Sequence, residues 1–184
     1  MNTFDYYAGW YERDRKFLRQ TFRGDWKLVA GLLAATSPQV SLSISWDMTL
    51  KIYRNYLAQQ VVSVNGMLKS HRKNVLRVLA GQDLQGRKVS NFYRALIGDG
   101  NAVVLDLWML RLFKFYPKHS HNPQGGCYDK LANRFRAVAR SHGYKPADFQ
   151  AALWICYRQK HGFEPVSYSI IGEDKNQLTF ADLY

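Results

Sequence analysis

The stretch LQGRKVSNFYRALIGDGNAVVLDLWMLR, residues 84–111, decides the fold that we expect. After Gly86, apolar residues recur at helical spacing and predict a helix over 87–97, which the glycine-rich turn GDGN ends. Asp106 directly precedes the apolar run LWMLRLF, and an aspartate in that position is a good N-cap. The stretch therefore predicts two helices joined by a turn, with Lys88 at the start of the first and Asp106 at the start of the second.

The rest of the chain has the same character, so the predicted fold class is all-α. Asp25 can cap the second helix, and Ser37-Pro38 ends it, because the residue before a proline is pushed out of the helical region. We expect a loop over 116–126 and an irregular tail after Gly162, with a short strand. The predicted helices cover about 4–19, 26–36, 43–57, 66–80, 87–97, 107–113, 128–141 and 146–160.

Composition indicates a folded, basic protein. The chain has 184 residues, of which 47% are hydrophobic and 15% aromatic, enough for a sizeable core. Lys and Arg number 26 against 14 Asp and Glu, a net charge of +12, which favours a polyanionic partner. DNA, RNA and an anionic membrane surface all fit that charge. The basic residues are spread along the chain, which favours a folded basic surface over a charged arm.

Two cysteines, Cys127 and Cys156, cannot ligate a four-cysteine iron–sulfur cluster or a closed zinc site. His119 and His121 lie two residues apart without a third ligand nearby, which favours a loop over a metal site. The N-terminus is interrupted by charges, unlike a signal peptide, and no apolar run is long enough to span a membrane. We therefore expect no metal, no cofactor, no membrane association and a cytoplasmic location.

Lys88 and Asp106 each have a structural interpretation. A role as a helix cap is enough to explain Asp106, with Leu105 and Leu110 forming a hydrophobic staple around the cap. Lys88 can be a solvated lysine in the first turn of a helix. That end of a helix carries partial positive charge, which would lower the pKa of an amine and make it a better nucleophile.

Together, these residues resemble the active-site segment of the helix-hairpin-helix DNA glycosylase superfamily, and of its endonuclease III branch in particular. In that family a hairpin L-P-G-V-G-x-K opens a helix, and an aspartate in the context V-D-x-H-x-x-R follows. The interval of eighteen residues between Lys88 and Asp106 is similar, and the upstream LVAGLLAATSPQVSL resembles the family's early helix and turn. The matching residues are Gly86, Arg87, Lys88, Asn91, Val104, Leu105, Asp106 and Arg111.

The resemblance implies a single domain, 1–184, made of two helical lobes with a DNA-binding cleft between them. One lobe would cover about 25–99, and the other 1–24 plus 100–184, with a hairpin-like turn before Lys88. The implied activity is that of a bifunctional DNA glycosylase and AP lyase of base-excision repair, without the iron–sulfur cluster. The implied partner is double-stranded DNA with a damaged or modified base, bound by a monomer of bacterial or phage origin.

The resemblance also implies roles for individual residues. Lys88 would attack the sugar of a flipped nucleotide and form a Schiff base, and Asp106 would assist it. Gln39 would fill the gap left by the flipped base, although a polar turn residue is the alternative reading. Trp26, Trp46 and Trp108 could stack on a base, but helical spacing favours core positions. The expected DNA-binding residues are Gly86, Arg87, Asn91, Gln39 and Arg111.

Two other functions stay open. One is a related enzyme that acts on a hypermodified base, as in phage DNA. The other is a non-catalytic, basic helical DNA-binding module in which Lys88 only contacts a phosphate. An arginine at this position should serve the binding module, whereas a lyase needs a primary amine.

Overall fold

The computed structural model describes residues 2–114 and 126–174, and every regular element within those ranges is helical. The all-α class expected from the sequence is confirmed. The α-helices of the described ranges are α1 (Thr3–Ala8), α2 (Trp10–Phe22), α3 (Trp26–Thr36), α4 (Leu42–Leu57), α5 (Lys69–Leu79), α6 (Arg87–Ile97), α7 (Leu107–Leu112), α8 (Gly126–Ser141), α9 (Pro146–Gln159) and α10 (Tyr168–Asp174).

Helix α3 lies at the centre of the fold. All eight residues from Val29 to Thr36 are buried, as expected for a helix that is apolar on every side. It packs against α2, α4, α5 and α6. The hydroxyl of Thr36, at the end of α3, lies 2.8 Å from Ser45 Oγ and 3.1 Å from Thr49 Oγ1 of α4, so the polar groups inside this packing satisfy one another.

The buried side chains form two apolar clusters. The larger gathers residues of α1 to α6 together with parts of α9 and α10. The smaller is formed by α7, α8 and α9 with the segment that leads into α7. Helix α9 contributes to both, with Ile155 in the larger cluster and Phe149 in the smaller. The segment that leads into α7 is shared as well, with Val104 in the larger cluster and Leu105 in the smaller. The two clusters therefore meet along α9 and along this segment, and the predicted division into two lobes stays a prediction.

The single helix predicted over 4–19 is wrong, because the chain folds there into α1 and α2 with Gly9 between them. The guanidinium of Arg13 donates a hydrogen bond of 2.6 Å to the carbonyl oxygen of Tyr6. In a continuous helix that carbonyl would accept a hydrogen bond from the backbone N–H four residues later. At the break, the Arg13 side chain is the donor instead.

The expected capping role of Asp25 needs a correction. Asp25 stands at the N-cap position of α3, after a 3-10 turn over Arg23–Asp25. Its carboxylate accepts a 2.8 Å hydrogen bond from the hydroxyl of Tyr53 on α4. The residue thus ties α3 to α4 through a side chain rather than capping the first turn of α3.

The predicted irregular tail is confirmed over residues 163–167, but the short strand is wrong over the part that the structure describes, since residues 168–174 form helix α10. Its first turn is capped by a residue from the other end of the chain. Asp14 of α2 accepts hydrogen bonds of 3.0 Å from the backbone N–H groups of Tyr168 and Ser169. This cap lies far away in sequence, so local patterning does not predict it.

The remaining bounds agree within a few residues. The helix predicted over 66–80 runs over Lys69–Leu79, and the one predicted over 128–141 begins earlier, at Gly126. The predicted loop over 116–126, with His119 and His121, lies outside the described residues except for Gly126, and so do residues 175–184.

Candidate active site

Lys88 and Asp106 line the same pocket, a cavity of about 700 Å³ between α2, the α3–α4 turn, α6, α7 and α9. A cavity of this size is typical of small-molecule and cofactor sites. Its wall combines aromatic side chains with polar and charged ones. The aromatic side chains that line it are Trp10, Tyr11, Phe92, Trp108 and Trp154.

Lys88 is the second residue of α6, and the turn before it is clamped from α5. The Asn74 side chain donates a 3.0 Å hydrogen bond to the backbone carbonyl of Gln85 and accepts one of 2.7 Å from the backbone N–H of Gln85. Ser90 adds a bond from its hydroxyl to the Leu84 carbonyl, 2.9 Å long. Gly86 then has φ 103° and ψ 127°, a conformation that only glycine adopts readily. These contacts fix the point where α6 begins and hence the position of Lys88.

Burial lowers the pKa of the Lys88 amine, and the nearby Asp106 carboxylate offsets part of that effect. Within the described ranges, no hydrogen bond or ion pair engages the amine. Lys88 is thus a half-buried primary amine, near a carboxylate but without a hydrogen bond or ion pair to it. A larger fraction of its unprotonated, nucleophilic form exists at neutral pH than for an exposed lysine.

Asp106 is held from two sides. Its Oδ1 accepts a 2.9 Å hydrogen bond from the Met109 backbone N–H, which confirms the predicted N-cap of α7. Its Oδ2 accepts a 2.8 Å hydrogen bond from the indole N–H of Trp154 on α9. Leu105 and Leu110 are both buried in the smaller apolar cluster, as expected for a staple around this cap. One carboxylate therefore joins α7 to α9 while it faces the pocket.

Sequence reasoning missed Trp154 and Arg158, which form the pocket wall opposite α6. They lie four residues apart on α9, a spacing that puts them on one face of a helix. That spacing was the available signal, but it says nothing about Asp106, 48 residues away. The Arg158 guanidinium carbon lies 4.5 Å from the Trp154 ring centroid, and burial lowers the pKa of this side chain. The wall thus carries a positive charge above an indole ring.

Gln39 lines the pocket from the α3–α4 turn, and it is exposed. Its φ of 61° is in the left-handed region, where only a few non-glycine residues occur. The preceding carbonyl, of Pro38, lies 2.7 Å from the Nε2 atom of the buried His71. The turn is therefore fixed from α5, and it holds a polar side chain at the edge of the pocket.

The other expected DNA-binding residues lie in different surroundings. Arg87 is half exposed and forms a 3.0 Å ion pair with Asp129 of α8. Arg111 is exposed, with its guanidinium carbon 5.0 Å from the Trp108 ring centroid. Asn91 is buried, and its amide donates a 2.8 Å hydrogen bond to the Arg87 carbonyl within α6. This placement favours a structural role for Asn91 over a contact with DNA.

Of the three tryptophans considered as base-stacking residues, only one lines the pocket. Trp108 does so, and its ring packs against Phe163 with centroids 5.1 Å apart. Trp46 is only 1% exposed and belongs to the core. Trp26 is half-buried at the start of α3, with the Arg19 guanidinium 4.6 Å from its ring.

Cys127 and Cys156 are free thiols. In the part of the chain that the structure describes, no group of three or more His, Cys, Asp or Glu residues could hold a metal ion. Nor does any helix of these ranges have the length and apolar character needed to cross a membrane.

A comparison with known families assigns the chain to one of them. A model described as a family of unknown function, DUF7178, matches residues 5–161, and the chain belongs to that family. No curated protein and no solved structure matches it. Nothing in these results points to the helix-hairpin-helix DNA glycosylase superfamily, so the membership expected from the sequence is wrong. The residues that suggested it form a short local pattern, in which a lysine that begins a helix is followed by a capped helix, and such a pattern is not specific to one family.

Proposed function

We propose that the protein is a DNA glycosylase with AP lyase activity, in which Lys88 is the nucleophile and Asp106 assists it. The observation that carries the proposal is the Lys88 amine itself. It is half-buried, it lines a pocket with aromatic walls near a carboxylate, and burial lowers its pKa. These are the properties that make a lysine reactive toward an electrophilic carbon.

DNA is the proposed substrate because of charge and pocket shape. A net charge of +12 favours a polyanion. A base inside a duplex is inaccessible, so enzymes that act on one bring the nucleotide out of the helix and into a pocket. The cavity of about 700 Å³ is large enough for a nucleoside, and its indole and phenyl rings provide flat surfaces for stacking on a base.

The proposed reaction begins at the sugar of the flipped nucleotide. The lone pair of Lys88 Nζ attacks C1′ of the sugar, the bond from C1′ to the base breaks, and the base leaves with the electron pair and takes up a proton. The ionised Asp106 stabilises the positive charge that develops on the sugar while the base leaves, and it then accepts the proton that Nζ releases. The C1′–O4′ bond then breaks, O4′ leaves with the electron pair and takes up the proton held by Asp106, and a protonated imine forms between Nζ and C1′. Loss of a C2′ proton expels the 3′ phosphate, and water hydrolyses the imine to release Lys88.

A phosphate of the bound strand is proposed to contact the start of α6. The first N–H groups of a helix point away from it and favour an anion. Gly86, at the N-cap of α6, has no side chain to keep a phosphate away from those groups. The turn over 80–86 would in this proposal act as the hairpin-like element on the DNA, and the pocket would open into the cleft between the lobes.

The burial of Lys88 also bears on the non-catalytic alternative. A lysine that only contacts a phosphate is expected on the surface, where its charge stays hydrated. The lowered pKa of Lys88 weakens the positive charge that such a role needs. These properties support the nucleophile, and they leave open which damaged or modified base the pocket accepts.

Trapping with sodium borohydride tests the proposal, because it reduces the imine to a stable amine. The wild type is incubated with a panel of duplexes that each contain one damaged or modified base, or an abasic site. Lys88→Ala and Lys88→Arg are compared with Lys51→Ala, which removes an exposed lysine of α4. We expect a covalent adduct with the wild type and Lys51→Ala, and none with either Lys88 variant. An adduct that survives in Lys88→Arg, or no adduct on any duplex, would refute the assignment.

A further inference from the structure

Arg158 is a charged side chain in aromatic surroundings. Its guanidinium carbon lies 4.5 Å from the ring centroid of Trp154, 4.9 Å from that of Phe163 and 5.7 Å from that of Trp108. Rings at these distances attract a cation through their negative faces, so the side chain stays charged and fixed in place. It also lines the pocket that contains Lys88.

The hydrogen-bonding capacity of Arg158 is not used up. Its Nε atom is buried and has no acceptor among the described residues. Asp106 lies near enough to influence Arg158 electrostatically, but both of its oxygens already accept hydrogen bonds from Met109 and Trp154. A buried donor without an acceptor costs free energy unless a ligand supplies one. An anionic oxygen in the pocket would satisfy this donor.

We propose that Arg158 forms an anion-binding subsite at the mouth of the pocket, and that it binds a backbone phosphate next to the nucleotide that enters. The inference rests on the proposed function in that its ligand is DNA. Lys88 and Arg158 line the same pocket from α6 and α9, and both lie near Asp106. In a nucleotide that enters base first, the phosphates follow the sugar, so a sugar carbon at Lys88 leaves its phosphate on the outward side, within reach of the pocket wall that Arg158 lines.

A second arginine on the same ring favours a phosphate over a base carbonyl. Arg111 is exposed, and its guanidinium carbon lies 5.0 Å from the ring centroid of Trp108. Two guanidinium groups therefore lie near the Trp108 ring, that of Arg158, which lines the pocket, and that of Arg111, which is exposed. Guanidinium groups match the geometry of phosphate oxygens with paired N–H donors, and a strand that leaves the pocket would offer successive phosphates to the two groups.

The test combines a change in the protein with a change in the DNA. The probe is a duplex with one tetrahydrofuran abasic analogue, which cannot react with Lys88. In two further duplexes, a neutral methylphosphonate replaces the phosphate on the 5′ or the 3′ side of the analogue. Dissociation constants of the wild type, Arg158→Gln and Arg158→Lys are measured by fluorescence anisotropy at one salt concentration. Arg54→Gln, on the exposed face of α4, is the matched control.

At one of the two linkages, we expect the methylphosphonate to weaken binding by the wild type about tenfold, the size of effect found for a hydrogen bond to a charged group. Arg158→Gln should weaken binding to the all-phosphate duplex by a similar factor, and the methylphosphonate should then have no further effect. Arg158→Lys should recover part of the loss, since it keeps the charge but not the fork of donors. Arg54→Gln should keep the full methylphosphonate effect.

Equal methylphosphonate effects in the wild type and Arg158→Gln, at both linkages, would overturn the proposal. A loss of affinity in Arg158→Gln that occurs on a duplex with an intact damaged base, but not on the duplex with the abasic analogue, would also overturn it. That result would assign Arg158 to a base carbonyl. Thermal melting of both Arg158 variants shows whether they fold, and Arg158→Lys provides the comparison if Arg158→Gln does not. An Arg158–phosphate coupling without any borohydride adduct would refute the lyase activity and leave this subsite intact. An adduct without the coupling would refute the Arg158 subsite and leave the lyase activity intact.

Discussion

The indole nitrogen of Trp154 donates a 2.8 Å hydrogen bond to Asp106 Oδ2, across 48 residues of sequence. The same carboxylate caps α7, so this contact fixes the side chain in the pocket as well as joining α7 to α9. Trp154→Phe keeps an aromatic ring and removes the donor. We expect a loss of about 1–3 kcal/mol in the free energy of unfolding, because a partly buried carboxylate loses a hydrogen bond.

Borohydride trapping by Trp154→Phe should also slow, since Asp106 is no longer held toward Lys88. Urea denaturation and the trapping rate measure the two effects. Trp26→Phe, at the half-buried start of α3, is the matched control for the loss of an indole. Equal stability and equal trapping in Trp154→Phe and the wild type would show that the contact does not hold Asp106.

Lys88→Met should stabilise the protein at pH 7 while it abolishes trapping. The variant keeps an unbranched side chain and removes an amine whose charged form is disfavoured by burial. A gain of about 0.5–2 kcal/mol is the usual range for such a stabilising change. Lys51→Met, at an exposed position, should stay within about 0.5 kcal/mol of the wild type. Urea denaturation at pH 7 measures the stability of both variants. A Lys88→Met variant less stable than the wild type would show that burying the charged amine does not destabilise the protein.

The stability gained in Lys88→Met should shrink at high pH. The folded-state pKa of Lys88 is below that of the unfolded chain, so the folded state binds fewer protons between the two values. The stability of the wild type relative to the variant is therefore lost as pH falls through the folded pKa, and it is recovered as pH rises toward about 10.4, the ordinary value for lysine. Melting curves at pH 7 and pH 10 should show this narrowing, and a difference that grows with pH would have the wrong sign.

Gly86→Ala should destabilise the protein by about 1–3 kcal/mol, the usual cost of a residue forced into a glycine conformation. The φ of 103° at Gly86 is unfavourable for any side chain, and an added Cβ would lie 3.2 Å from Val89 Cγ2. Trapping should slow as well, because α6 and Lys88 shift with the turn. Gly24→Ala is the control, since an added Cβ there meets no atom of the described residues within 4 Å. Urea denaturation of both variants measures the two losses. Equal losses in the free energy of unfolding would contradict the prediction.

Asp14 should make stability depend on acid. Burial raises the pKa of this carboxyl from 3.8 to about 6, and its hydrogen bonds to the start of α10 offset only part of the effect. The folded state therefore binds more protons than the unfolded state between those values, so the contribution of Asp14 is present below about pH 4 and is lost as pH rises through about 6. The shift corresponds to about 3 kcal/mol at most.

Asp14→Asn removes this titration. We expect the difference in stability between the wild type and Asp14→Asn to change in favour of the wild type as pH falls from 7 to 4.5. Melting at a series of pH values measures the difference, and comparison at each pH cancels the repulsion that the rest of this basic chain adds in acid. A difference that is constant over the range would mean that Asp14 titrates normally.

The elements that the sequence predicted well are those whose ends are marked locally. Helix α6 begins after Gly86 and ends before Gly98, and its predicted bounds agree with those observed. Asp106 lies directly beside the helix that it caps. Glycines and caps act on their immediate neighbours, so a single sequence contains the information that determines them.

What the sequence could not predict depends on contacts across the chain. Helix α10 is capped by Asp14, and the wall of the pocket opposite Lys88 comes from Trp154 and Arg158. The sequence next to Asp14, Trp154 and Arg158 contains no signal for the residues that they contact in the folded chain. The assignment to a superfamily failed for a related reason: the interval between Lys88 and Asp106 reflects local helix starts, and it does not establish a common origin.

The contact between Asp14 and the backbone of Tyr168 spans 154 positions and has a consequence for synthesis. Tyr168 is fully buried, and its ring stacks on Trp46 of α4 with centroids 6.1 Å apart. During translation, the space that Tyr168 fills beside Trp46 stays open until this tyrosine has left the ribosome. Until then the nascent chain exposes apolar surface and is prone to aggregation, so it is a candidate client for chaperones.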